Sequence, residues 1–204
     1  MNYIKKLENL IKQNNGTLFT ADLARQNIPR TYLSKLVSIG KLERVSRGVY
    51  VLSGEIEDEM YYMQIKYPKL IYSHETALFI HGLSDRTPFE YSATVPSSYK
   101  VVKSICENSK VYYIKNELHS LGVTTAKTSF GNDIRLYNIE RTICDTVRSR
   151  NKIDIQILND ALKRYIKLKS ADFNLLGEYA KQFHVDKIIK KYMEVLLWVA
   201  KPWV

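Results

Sequence analysis

Apolar residues recur at helical spacing from the start of the chain. Tyr3, Ile4, Leu7, Leu10 and Ile11 form one stripe with lysines opposite it. Asn14-Asn15-Gly16 ends this helix, because polar residues followed by glycine turn the backbone out of the helical region. Thr17-Leu18-Phe19 reads as a short extended piece. A second helix is expected next, capped by Thr20, with Asp22 in its first turn and Ala21, Leu23 and Ala24 turned inward. Asn27-Ile28 makes a tight turn, and Pro29 suits the first turn of a third helix running to about Ser38. Its inner side is Leu33, Leu36 and Val37. Arg30, Thr31, Ser34, Lys35 and Ser38 fall on the opposite face, with Tyr32 at the border. After Gly40, two β runs flank Ser46-Arg47-Gly48, which predicts a hairpin. Three helices, a tight turn and a hairpin in this order predict a winged helix-turn-helix over residues 1–54.

Beyond residue 54 the pattern is mixed. Glu55-Ile56-Glu57-Asp58-Glu59 is an acidic run that reads equally as a junction between domains or as the first turn of a helix at about 57–67, ending before Pro68. Ser73 is placed to cap a short helix from His74 to His81, closed by Gly82. Extended pieces are expected at 91–95, 111–114, about 123–129 and 134–137. From Asn138 the period becomes helical, with helices near 139–149, 153–167, 172–182 and 185–199. The fold class is therefore α+β: a winged helix over 1–54, then a larger mixed α+β domain over 55–204 ending in a helical bundle.

Charge sharpens this division. Of the net +10, residues 1–54 hold nine bases against three acids, residues 55–150 are balanced, and residues 151–204 hold ten bases against six acids. A basic N-terminal module with a helix face rich in hydrogen-bond donors suits DNA, with that helix in the major groove and its first turns at base edges. The candidate contacts are Arg30, Thr31, Tyr32, Ser34 and Lys35 on the third helix, Lys41 and Arg44 on the hairpin, and Arg47 at its tip. The competing reading is that these bases are solvated surface and the module packs on a protein.

No catalytic constellation stands out. His74-Glu75 begins like H-E-x-x-H, but Leu78 occupies the second histidine position, so no zinc site is expected. Phosphate-loop, nucleophile-elbow and dinucleotide-binding motifs are absent. Cys144 sits on an apolar helix face and reads as core, His81 reads as structural or surface, and Arg141 with Asp145 reads as an ordinary helical ion pair. The expectation is a protein that is not an enzyme and uses no cofactor or metal. Cys106 and Cys144 are too few for a disulfide framework. With no long apolar run and no signal-peptide pattern, the chain reads as cytoplasmic and away from membranes. Lys163, Arg164 and Lys167 lie on a basic helix surface that is either plain solvated face or a docking surface.

The segments SHETALFIHGLSDRTPFEYSATVPSSY (73–99) and NIERTICDTVRSRNKIDIQILNDALKRY (138–165), following a winged helix, resemble the AbiE-type antitoxins of type IV, abortive-infection toxin–antitoxin pairs. The resemblance implies two jobs. The winged helix would repress its own promoter by binding inverted repeats in double-stranded operator DNA. The C-terminal domain would counteract a nucleotidyltransferase-like toxin, without a stable complex being assumed. Some relatives carry a nuclease-like domain after the winged helix, and the lack of a D/E-x-K cluster on a strand here argues against that branch. The alternative is a winged-helix regulator with a ligand-sensing C-terminal domain, which requires a pocket that sequence does not reveal.

Overall fold

The computed structural model describes residues 3–54, 58–101 and 109–199. Glu55, Glu57 and Cys106 lie outside them. The chain forms two compact units, residues 1–66 with 127–134 and residues 67–126 with 135–204. The first unit thus takes in sequence well past residue 54. No helix among the described residues is long and apolar enough to cross a membrane.

In the first unit, α1 (Tyr3–Gln13) buries Leu7, Leu10 and Ile11, as its stripe dictates. Asn15 and Gly16 both adopt positive φ and reverse the chain into β1 (Thr17–Phe19). Then come α2 (Thr20–Arg25), α3 (Thr31–Ser38), β2 (Leu42–Ser46), β3 (Val49–Leu52) and α4 (Glu59–Lys66). The three strands make an antiparallel sheet in the order β1-β3-β2. Leu7, Leu18, Leu23, Ile28, Leu33 and Leu42 form the core. Two side-chain assignments change. Thr20 is the first helical residue rather than the cap, and its hydroxyl donates to the Gly48 carbonyl (3.0 Å), across to the hairpin turn. Within α2 and α3 only Leu23 and Leu33 are buried, whereas Ala21, Ala24 and Val37 are exposed. The helices are so short that only one leucine in each is fully buried, with Leu36 and Tyr32 of α3 packing partly buried against the same core.

Asp58, from the acidic run, is not solvated spacer. Its carboxylate caps the entry to α4 by accepting from the Tyr61 N–H (3.1 Å) and also accepts from Asn132 Nδ2 (2.9 Å) and the Thr128 hydroxyl. Asn132 in turn accepts from Asn15 Nδ2 (3.1 Å). These bonds carry residues 127–134 into the first unit.

The second unit contains β4 (Ile71–Tyr72), α5 (His74–Ile80), β5 (Tyr91–Pro96), β6 (Ser109–Ile114), α6 (Asn116–His119), β7 (Val123–Lys127), β8 (Asp133–Tyr137), α7 (Ile139–Arg148), α8 (Ile155–Tyr165), α9 (Phe173–Gln182) and α10 (Asp186–Val199), the outer parts of β7 and β8 counting with the first unit. The sheet order is β6-β5-β4-β8-β7, with β5/β6 and β4/β8 parallel and β4/β5 antiparallel. The α+β class holds. β4 and α6 are too short to leave a periodic trace in sequence.

The core of this unit is built around α7, in which every residue from Glu140 to Val147 is buried. Arg141 and Asp145 are no ordinary surface pair. Both side chains are fully buried, with Arg141 Nε donating to Asp145 Oδ2 (2.9 Å) and Arg141 Nη1 to the carbonyls of Leu118 (2.9 Å) and Leu121 (2.7 Å). The guanidinium lies between the rings of Tyr137 (3.9 Å) and Phe183 (4.1 Å). A desolvated charge needs this many partners, because isolated burial costs several kcal/mol. Burial raises the Asp145 carboxyl above its ordinary range, against the pull of Arg141 and Arg148. Ser73 sits at the N-cap of α5 but does not cap with its side chain. Its Oγ instead accepts from the Thr94 hydroxyl (2.8 Å) and bonds His74 Nδ1 (2.8 Å). Cys144 is core, and burial pushes its thiol up to about 12, which rules out a ready thiolate. His81 is structural, its Nε2 donating to the Tyr137 carbonyl (2.7 Å).

Candidate nucleic-acid interface

Four of the eight candidate residues of the first unit, Arg30, Ser34, Arg44 and Arg47, meet at one groove. Between α3 and the β2–β3 hairpin lies a cavity of about 580 Å³ lined by Arg30, Leu33, Ser34, Arg44, Arg47, Gly48, Tyr50 and Thr20. Three guanidinium groups border it and no carboxylate does. This composition favours an anion and offers planar donor forks suited to phosphates or guanine edges.

Local sequence explains how the groove is assembled. Arg30 occupies the N-cap position of α3, preceded by Pro29, and Leu33 anchors that helix by burial. Burying a leucine contributes about 1.5–3 kcal/mol, so Leu33, with Leu36 and Tyr32 partly buried against the same core, sets which face of α3 turns outward. Thr31, Ser34, Lys35 and Ser38 are all exposed, as their spacing predicts. On the hairpin, Arg44 pairs in register with Tyr50, and the register then shifts before Ser46 pairs with Val49. Such a bulge twists the strand locally and re-aims its end. Gly48 closes the turn at φ +84°, where a Cβ would come within 2.5 Å of Thr20 Oγ1. Glycine is required there on both counts, and the Thr20–Gly48 bond holds the hairpin turn beside the start of α2.

The predicted residues divide. Arg30, Ser34, Arg44 and Arg47 meet in the groove. Thr31 and Lys35 are exposed on α3 outside its lining, and Lys41 is exposed at the foot of the hairpin. Tyr32 is half-buried and packs against Tyr3, ring centres 5.3 Å apart, so it supports α3 rather than facing outward. Thr20 and Tyr50 were not anticipated as part of the groove. The alternation of β3, with Val49 and Val51 inward and Tyr50 between them, was the available signal for Tyr50.

Residues 5–53 match the family described as transcriptional regulators, AbiEi antitoxins. The AbiEi resemblance therefore holds over the winged helix, and the match supports a DNA-binding antitoxin role. No curated protein sequence matches the chain. Among solved structures, the RV2827C protein from Mycobacterium tuberculosis is similar, with a TM-score of 0.59, 12% identity, and coverage of 86% of this chain and 69% of that one. At that identity the likeness establishes the fold alone.

The AbiEi match stops short of the C-terminal segments that also carry the resemblance. In the structure those segments combine interior and surface: Ser73, His74, Thr76, Ala77, Leu78, Leu83, Thr94, Val95 and residues 140–147 are buried, whereas Asp85, Arg86, Thr87, Phe89 and Glu90 are exposed. Their buried residues build the framework of the second unit. Of the basic residues on α8, Lys163 is exposed, as is Lys167 just beyond it. Arg164 is engaged, its guanidinium holding both carboxylate oxygens of Asp85, with Nη1 to Oδ1 at 2.9 Å.

Proposed function

We propose that the chain is a transcriptional autorepressor and antitoxin, in which α3 enters the major groove of inverted repeats in its own promoter and Arg47 reaches the neighbouring phosphates or minor groove. The observation that carries this reading is the groove bordered by Arg30, Arg44 and Arg47 with no acid in its lining, inside the segment that matches AbiEi regulators. In this reading Arg30, the N-cap residue of α3, makes a bidentate contact with guanine, and the exposed hydroxyls of Thr31 and Ser34 make adjacent base or phosphate contacts. In this reading the second unit counteracts a nucleotidyltransferase-like toxin in a type IV, abortive-infection pair in the cytoplasm. It does so without catalysis, cofactor or metal, and without a stable complex being required.

The test has two readouts in one cell: repression of a reporter driven by the chain's own promoter, and growth when the toxin from the neighbouring gene is induced. The wild type is expected to repress and to rescue. Arg30→Ala with Arg47→Ala is expected to lose repression and keep rescue. Loss of rescue in that folded variant, or full repression by it, contradicts the assignment.

A further inference from the structure

The second unit contains a cavity of about 620 Å³ that no part of the DNA-reading account uses. Its place in the fold follows from strand direction. β5 and β6 are parallel and in register from Tyr91–Ser109 to Pro96–Ile114, so their carboxyl ends lie side by side. Ser97 and Lys115 are the residues that follow, and both line the cavity. Crevices at the carboxyl ends of parallel strands are common ligand sites, because the chain leaves the sheet there and exposes loop donors.

The far wall comes from two helix ends. Arg148 closes α7, and His184, at φ +57°, turns the chain from α9 to α10. The Arg148 guanidinium is partly exposed (29%) and oriented by Asp145 (3.6 Å) and by the Phe183 ring (5.9 Å). Lys115 and Arg148 thus present two cations, one flexible and one held in place. The aromatic lining is equally specific. Phe183 is buried against Arg141 at 4.1 Å, whereas Tyr113 is 51% exposed and offers an open ring. Glu117 adds a carboxylate acceptor to the lining. Two cations for an anionic group, an open aromatic ring for a flat one and a carboxylate for hydroxyl or amine donors form a set of chemical demands that few small molecules meet together.

We infer that this cavity binds a nucleoside phosphate, its phosphates toward Arg148 and Lys115 and its base against Tyr113. The inference stands apart from the DNA-reading groove, which belongs to the other unit and shares no lining residue with it. It supplies the pocket that a ligand-sensing regulator needs.

The test is calorimetric titration of the full chain with ATP, GTP, CTP and UTP separately, and with inorganic triphosphate. At least one nucleotide is expected to bind saturably, with a dissociation constant below about 1 mM and about tenfold tighter than triphosphate. Lys115→Glu, at an exposed position, and Arg148→Gln are each expected to weaken it by about tenfold or more. Near-ultraviolet circular dichroism and urea unfolding should match the wild type as a check that the second unit folds in each variant. Arg47→Ala is expected to leave nucleotide affinity unchanged. The inference is overturned if no nucleotide binds at roughly millimolar concentration, or if triphosphate binds equally well. It is likewise overturned if Arg47→Ala abolishes binding while Lys115→Glu does not.

Discussion

Arg30, Arg44 and Arg47 in the first unit and Arg141 in the second are the same side chain put to opposite uses. The first three are exposed and border a groove without a carboxylate. Arg141 is fully buried, bonded to Asp145 and two carbonyls, and sandwiched between two rings. An exposed arginine contributes little to stability and can turn its hydrogen-bonding capacity to a partner. A buried one spends that capacity inside the fold, where losing it leaves charges unpaired. Charge counted along the chain treats the two alike, and only burial separates a binding residue from a structural one.

The largest expected effect tests the buried side of this contrast. Arg141→Ala leaves Asp145 in the core without its main partner and should destabilise the second unit by about 3–5 kcal/mol, read by urea unfolding. Arg141→Ala with Asp145→Ala should recover part of that loss, because no lone charge remains. A destabilisation of only a few tenths of a kcal/mol would mean the pair is exposed in solution.

On the exposed side the effects should appear in binding instead. Arg30→Ala is expected to weaken operator binding by about 1–3 kcal/mol and to relax specificity. Arg47→Ala should weaken operator and unrelated DNA alike, and both variants should unfold within about 0.5 kcal/mol of the wild type. Identical changes in operator and non-specific affinity for the two variants would dissolve the division between helix and hairpin.

A smaller, pH-dependent effect comes from His74. It is fully buried, stacked on Tyr112 at 3.5 Å and bonded through Nε2 to the Ser149 hydroxyl (3.0 Å). Burial first, then the positive charges of Arg148, Lys110 and Arg141, hold its imidazole well below the usual value of 6.5. The native site therefore refuses a proton that the unfolded chain accepts below about pH 6.5. Stability should fall as pH drops through that point, by up to about 1.4 kcal/mol per pH unit, and be unaffected above it. His74→Asn, which tolerates the positive φ of 46°, should lose less between about pH 7.5 and 5.5. Equal losses would show that other groups carry the acid sensitivity.

The smallest effect concerns α8. Lys163→Glu with Lys167→Glu should leave the melting temperature unchanged, since both side chains are exposed. If the basic surface serves the antitoxin role, growth rescue should drop while repression persists. Full rescue would make it solvated surface.

The pattern of what sequence could reveal follows the same division. Exposed positions on α3 were legible because a helix held by one buried leucine still obeys its 3.6-residue period, so Arg30, Ser34 and Lys35 fell on the outer face. The hairpin was legible from Arg47-Gly48, since few residues besides glycine tolerate that turn. Interior polar residues were not legible. In α7, Arg141 with Asp145 read as an ordinary helical ion pair, yet both, with Glu140, Thr142 and Thr146, are buried by the surrounding elements. Arg164 read as free basic surface because its partner, Asp85, lies 79 residues away. Thr20 and Ser73 read as caps because they sit beside helix starts, whereas the Thr20 hydroxyl donates across to the Gly48 carbonyl and the Ser73 hydroxyl accepts from Thr94. Long-range partners leave no periodic trace.

The most direct test of the central claim is the salt dependence of binding to the chain's own promoter, compared with a scrambled sequence of equal length. With Arg30, Arg44, Arg47, Lys35 and Lys41 exposed along α3 and the hairpin, the interface should neutralise about five phosphates and give a log–log slope near −4.5. The promoter should bind at least about 10³-fold tighter than the scrambled sequence at physiological salt. Equal affinity for the two sequences, or an affinity that does not change with salt, would contradict the account.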